Sequence, residues 1–115
     1  QTGKFSFGRR PTLDVEATPM GTYQAIVYRA IGEQWYRQCD LNRDLIVTGT
    51  VRIRILINKN GKVSSMRQTS RVGASEVQKS FTFLAIKLAR LPAMPPEVRN
   101  ALVGDSLEMY FDFNF

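Results

Sequence analysis

Two hydrophobic periods organise the chain. From residue 22 to residue 39, apolar side chains fall at Tyr23, Ile26, Val27, Ala30, Ile31 and Trp35, in steps of three and four. Gln24, Arg29, Glu33 and Arg37 lie mostly on other faces. This spacing predicts an amphipathic helix capped by Thr22 and ending near Cys39. After an exit loop at Asp40–Asp44 the period changes to two. Val47, Gly49, Val51, Ile53, Ile55 and Ile57 alternate with Thr48, Thr50, Arg52, Arg54 and Leu56, which predicts a strand buried on one face. Asn58-Lys59-Asn60-Gly61 is a turn signal, with Asn60-Gly61 suited to positive φ. A second strand is expected from Lys62 to about Ser70, where Met66 breaks the weaker alternation and is expected to mark a bulge.

Ser75 and Gln78 form a capping box ahead of Val77, Phe81, Leu84, Ala85, Leu88 and Leu91, so a second helix is expected over residues 75–91. Pro92 ends it, and Pro95-Pro96 opens a short helical turn that Gly104 closes. The C-terminal segment has the cleanest alternation. Leu107, Met109, Phe111, Phe113 and Phe115 point one way; Glu108, Tyr110, Asp112 and Asn114 point the other. Residues 1–21, with Gly3, Gly8, Pro11, Pro19 and Gly21, sustain neither period. They read as a linker or loosely docked arm, in which Phe5, Phe7, Leu13 and Val15 could pack on a domain spanning 22–115.

The predicted fold is α+β with two layers: a three-stranded antiparallel sheet in the order 2-1-3 and two main helices on one face. The helices would cover Ile53, Ile55, Phe111 and Phe113. A right-handed crossover through the second helix places the terminal strand beside the first. That strand is then an outermost one, and residues 106–115 contain neither proline nor lysine to blunt it. Leu107, Glu108, Met109, Tyr110, Phe111, Asp112 and Phe113 are therefore the candidate partner-binding residues, through strand addition. The same edge would allow a strand-exchanged homodimer. Arg52 and Arg54 are secondary candidates for an acidic partner, although cross-strand pairing with Glu108 and Asp112 is the simpler expectation.

Composition narrows the chemistry. The 115 residues suffice for one core, and 43% hydrophobic with 23% charged residues is an ordinary globular mixture. A net charge of +6 favours acidic partners without choosing among them. Histidine is absent and cysteine occurs once, at Cys39, which removes histidine-based triads, most zinc sites and any internal disulfide. Cys39 itself reads as a small buried hydrophobe. The acidic residues are spread singly, and no glycine-rich phosphate loop occurs. No enzyme activity, cofactor or metal is expected. Pro92, Pro95 and Pro96 read as a structural stop, Trp35 as a core anchor and Tyr36 as its surface neighbour. No apolar run approaches the ~20 residues of a membrane helix. A start at Gln1 reads as a processed or trimmed piece whose anchor, if any, has been removed.

Taken together, several residues resemble a known family. A helix with Tyr23, Ala30, Ile31 and Trp35 precedes Gly49-x-Val51-x-Ile53 and Asn60-Gly61-x-Val63. Ala85-Ile86-Lys87-Leu88-Ala89-Arg90-Leu91-Pro92-x-x-Pro95-Pro96-Glu97 then leads to the final strand. Over roughly residues 22–115 the chain resembles the C-terminal domains of TonB and TolA. The resemblance implies a periplasmic module on a spacer anchored in the inner membrane. A motor complex in that membrane would drive it, and it would pull on envelope or outer-membrane receptor proteins gripped by strand addition. Two departures leave the subfamily open: Tyr36-Arg37 stands nearest to the Tyr-Pro motif of many TonB proteins, and the cysteine pair of typical TolA domains is missing. A non-motor envelope adaptor of the same fold is the alternative. The element order also matches one arrangement of KH RNA-binding domains, but the required G-x-x-G loop is absent, so no nucleic acid is expected.

Overall fold

A computed structural model describes residues 6–9 and 18–115. Helix α1 (Pro19–Leu41) starts four residues before the position that its apolar stripe predicts. Thr18, not Thr22, is the cap: its Oγ1 accepts the Gly21 N–H at 3.0 Å, and Pro19 fills the first turn, where a missing N–H costs nothing. Tyr23, Val27, Ile31, Trp35 and Cys39 form the buried stripe, while Ile26 turns outward.

Strand β2 (Thr50–Asn58) and strand β3 (Val63–Val72) make the expected hairpin. Asn58 Oδ1 accepts the N–H groups of Asn60 and Lys62, both at 3.0 Å, and Gly61 takes the positive φ of 85°. Val51, Ile53, Ile55 and Ile57 are fully buried, as the period of two requires. The bulge expected at Met66 is displaced, because Met66 pairs directly with Ile55. Instead the register shifts twice, skipping Ser64 and Thr69. Each skipped residue turns its hydroxyl back to a β2 carbonyl, Ser64 to Leu56 and Thr69 to Arg52.

Helix α2 (Glu76–Leu88) opens on the capping box of Ser75 and Gln78. Its buried face is rotated from the one the apolar residues predict. Phe81 and Ala85 are inside as expected, but Val77, Leu84 and Leu88 are exposed and Gln78, Thr82 and Ile86 are buried. Two polar residues can occupy the interior because each has a partner there: Thr82 Oγ1 accepts from Trp35 Nε1, and the Gln78 amide bonds to both backbone groups of Val47. The proline segment then packs on the hairpin. Tyr23 Oη donates to the Pro92 carbonyl at 2.7 Å, and Met94 N–H donates to Lys59 O at 3.0 Å. A short helix α3 (Pro96–Ala101) leads to strand β4 (Ser106–Asn114).

The protein is α+β, with helices packed on one face of an antiparallel sheet, but the sheet has four strands. The three expected strands are consecutive as β3-β2-β4. Strand β1 (Ser6–Arg9), from the segment read as a linker, adds outside β4 to give the order β1-β4-β2-β3. The arm residues Phe5, Leu13 and Val15 lie outside the described residues; Phe7 is buried. Its ring joins Trp35, Phe111 and Phe113 in the core.

Candidate partner-binding edge

The seven residues proposed for the edge all lie on β4, but β4 is not an outermost strand. β2 pairs with it from Asn58↔Ser106 to Thr50↔Asn114. On the other side β1 pairs Ser6↔Asn114, Phe7↔Phe113, Gly8↔Asp112 and Arg9↔Phe111. The expectation of an uncovered terminal strand is therefore corrected: the half at Phe111, Asp112 and Phe113 lies between two neighbours. Along Leu107, Glu108, Met109 and Tyr110, no described strand pairs on the β1 side.

Side chains on β4 divide as the alternation requires. Leu107, Met109, Phe111 and Phe113 are buried against the helices. Glu108, Tyr110 and Asp112 face away, where β2 presents its arginines. Arg52 Nε donates to Asp112 Oδ1 at 2.6 Å, and Arg54 Nε donates to Glu108 Oε2. The bond to Glu108 is the main reason that the Arg54 guanidinium holds its proton more tightly than usual. Both arginines are thus engaged across strands rather than gathered into a cationic patch, and exposed pairs of this kind contribute only ~0.2–1 kcal/mol.

The structure adds residues that the alternation of β4 did not reveal. Phe7 stacks on Tyr28 with ring centroids 4.6 Å apart and lies 4.9 Å from Phe113 and 5.3 Å from Phe111. The Tyr28 hydroxyl donates to the Phe7 carbonyl, and Asn114 Nδ2 donates to Ser6 Oγ at 3.2 Å. Gly32 supplies the space above the ring, since a Cβ there would sit 3.0 Å from Phe7 Cδ2. The available signal was a glycine in the middle of α1, where it costs ~1 kcal/mol relative to alanine unless something approaches closely.

The opposite edge, β3, is handled differently. Its exposed positions are polar except at Val72, and its two register shifts distort the line of backbone groups that another chain would have to match. Cys39 is fully buried, and burial pushes its thiol up to about 12, with Asp40 adding to the rise and Arg43 opposing it. A thiol in that state is a packing group, not a nucleophile. Among the described residues no group of three or more histidine, cysteine or acidic side chains could hold a metal, and no helix is long and apolar enough to cross a membrane.

No family model matches the chain, and no curated protein matches it significantly.

Proposed function

We propose that this chain is the periplasmic C-terminal domain of a TonB/TolA-type energy transducer, a non-catalytic module that receives an extended segment of an envelope or outer-membrane receptor protein as an added strand beside β4. An inner-membrane motor, reached through an anchored spacer, would supply the pull. The supporting observation is that the side of β4 away from β2 accepts a strand brought from the far end of the chain, at Ser6–Arg9. That is strand addition performed in cis. Main-chain pairing supplies grip, and buried alternate side chains supply selectivity. The three strands expected from the sequence stand side by side as β3-β2-β4, with the helices on one face.

The test is site-specific photocrosslinking in the source cells, with a photoreactive residue at the exposed position Glu108 of the full-length protein. The expected products join it to envelope or outer-membrane proteins and diminish when the ion gradient is collapsed. Products that persist without the gradient would favour the non-motor adaptor. Recovery of the protein with cytosolic RNA or cytosolic proteins would defeat both readings.

A further inference from the structure

A cleft of about 500 Å³ lies between strand β3 and the end of helix α2, on the far side of β2 from β4. Its floor is aliphatic. Val63 and Met66 stand opposite Ile57 and Ile55, so they share the helix-facing side of the sheet. Ile55 and Ile57 are fully buried, yet Val63 and Met66 are only half-buried. The helical layer therefore stops short of β3, and Ile86 and Leu91 form the facing wall. The chain itself closes one end. A Cβ on Gly61 would sit 2.4 Å from the Pro92 carbonyl oxygen, so the segment after α2 lies tight against the hairpin turn.

Three cations stand around this floor. Lys62 belongs to the hairpin, and Lys87 and Arg90 to the opposite wall. All three are exposed, and among the described residues none of their side chains forms an ion pair. Arg43, Arg52, Arg54 and Arg71, by contrast, each hold a carboxylate of the chain. No aspartate or glutamate lines the cleft. Lys87 complements the carbonyl end of α2, but that does not account for Lys62 on the hairpin.

We infer that this cleft is a docking site for an acidic segment of a partner protein, whose aliphatic side chain enters between flanking carboxylates. Cations on both walls match several separated charges, which a peptide carries and a single-headed lipid does not. The floor offers no aromatic ring for a base to stack on, so RNA lacks half of its grip. Met66 can fit its flexible thioether to the entering side chain. The site works through side chains rather than an open backbone edge, so it is independent of strand addition beside β4.

The experiment titrates the whole chain with a fluorescent synthetic peptide in which each leucine stands between two glutamates, read by anisotropy and amide NMR. Binding should strengthen as salt is lowered and should move the amides of Val63, Met66 and Leu91. Lys62→Glu with Lys87→Glu should weaken it at least about tenfold. Arg37→Glu with Arg99→Glu, an equal charge change at exposed positions elsewhere, should leave it within about twofold. A peptide with glycine in place of leucine should bind at least about tenfold more weakly, a comparison that needs no change in the protein. No binding at about 1 mM peptide overturns the inference. Equal losses in the two double variants overturn it by reducing the attraction to net charge, and equal binding of the glycine peptide does so by removing the apolar contact. Amide shifts confined to β4 overturn it by moving the peptide to the other edge. Displacement of the peptide by single-stranded RNA or by a fatty-acid carboxylate overturns it in favour of a nucleic acid or a lipid.

Discussion

Trp35 Nε1 donates to Thr82 Oγ1 at 3.1 Å, a fully buried bond that joins α1 to α2. It places the largest side chain of the core and fixes which face of α2 turns inward. Thr82→Val keeps the shape and removes the acceptor. The expected loss is about 1–2 kcal/mol, the cost of depriving a buried donor of this partner. Urea denaturation followed by tryptophan fluorescence measures it, and an unchanged midpoint would show that the indole is satisfied without Thr82.

Gln78 carries a heavier load than its place in a capping box suggests. Its Oε1 accepts from Val47 N–H at 3.1 Å and Ser75 N–H at 3.2 Å, while its Nε2 donates to Val47 O at 2.9 Å. The pair of bonds to Val47 imitates a strand partner for the stretch just before β2. Gln78→Leu should cost about 2–3 kcal/mol by orphaning those backbone groups. Gln78→Glu keeps an acceptor for Val47 N–H but sets a carboxylate oxygen against Val47 O in a fully buried site, so it should cost at least as much as the leucine variant.

What the sequence disclosed and what it hid follow from where the determining contacts lie. The stripe of α1 and the alternation of β2 and β4 were legible because apolar spacing alone sets their buried faces. The face of α2 was not, because Gln78 and Thr82 are buried by partners 31 and 47 residues away. The arm was illegible for a similar reason. Ser6-Phe7-Gly8 has too little alternation to announce a strand, and its pairing depends on Gly32 and on β4 at the far end of the chain. That missing strand is what turned the expected open edge into a covered one. The candidate residues do lie on one C-terminal strand, but its second neighbour was not foreseen.

Phe111 tests the buried side of that strand directly. It is fully buried between the sheet and the helices and touches the Phe7 ring. Phe111→Ala should cost about 3–5 kcal/mol, as deletion of a core aromatic does. Chemical denaturation measures this loss, and a cost under ~1 kcal/mol would mean that the ring is not in the core.

High pH should destabilise the fold through Cys39. The unfolded thiol ionises near its ordinary 9.0, whereas burial pushes the folded one up to about 12. Below 9.0 both states keep the proton and the thiol contributes no pH dependence; between 9.0 and about 12 the unfolded state sheds it preferentially, so stability falls as pH rises. Tyr23, also raised by burial from 10.0, acts in the same direction and begins later. Denaturation midpoints at about pH 8, 9.5 and 10.5 should therefore decline. Cys39→Ala should flatten the first part of the decline and leave the Tyr23 part. An unaltered profile in Cys39→Ala would remove the thiol from the account.

Gly49 anchors β4 at its C-terminal end. Gly49 N–H donates to Phe115 O at 3.4 Å, and Phe115 N–H donates to Gly49 O at 2.7 Å, so Gly49 holds the residue just past the strand that receives β1. A Cβ on Gly49 would lie 2.2 Å from Ala74 N, 2.6 Å from Gly73 C and 2.7 Å from Val72 O. All three are backbone atoms, so no flexible side-chain end can give way, and Gly49 cannot retreat without stretching its bonds to Phe115. Gly49→Ala should cost ~3 kcal/mol, the upper end of overpacking penalties. Gly104→Ala is the control: open space surrounds that position, its φ is 96°, and only the ~1–2 kcal/mol strain of a left-handed backbone applies. The two variants should also differ in kind. Gly49→Ala should speed amide exchange at Phe113–Phe115 and loosen β1 with it, whereas Gly104→Ala should leave those amides protected. If Gly49→Ala proves the milder of the two, the link between β3 and α2 yields, and the end of β4 is not fixed from this side.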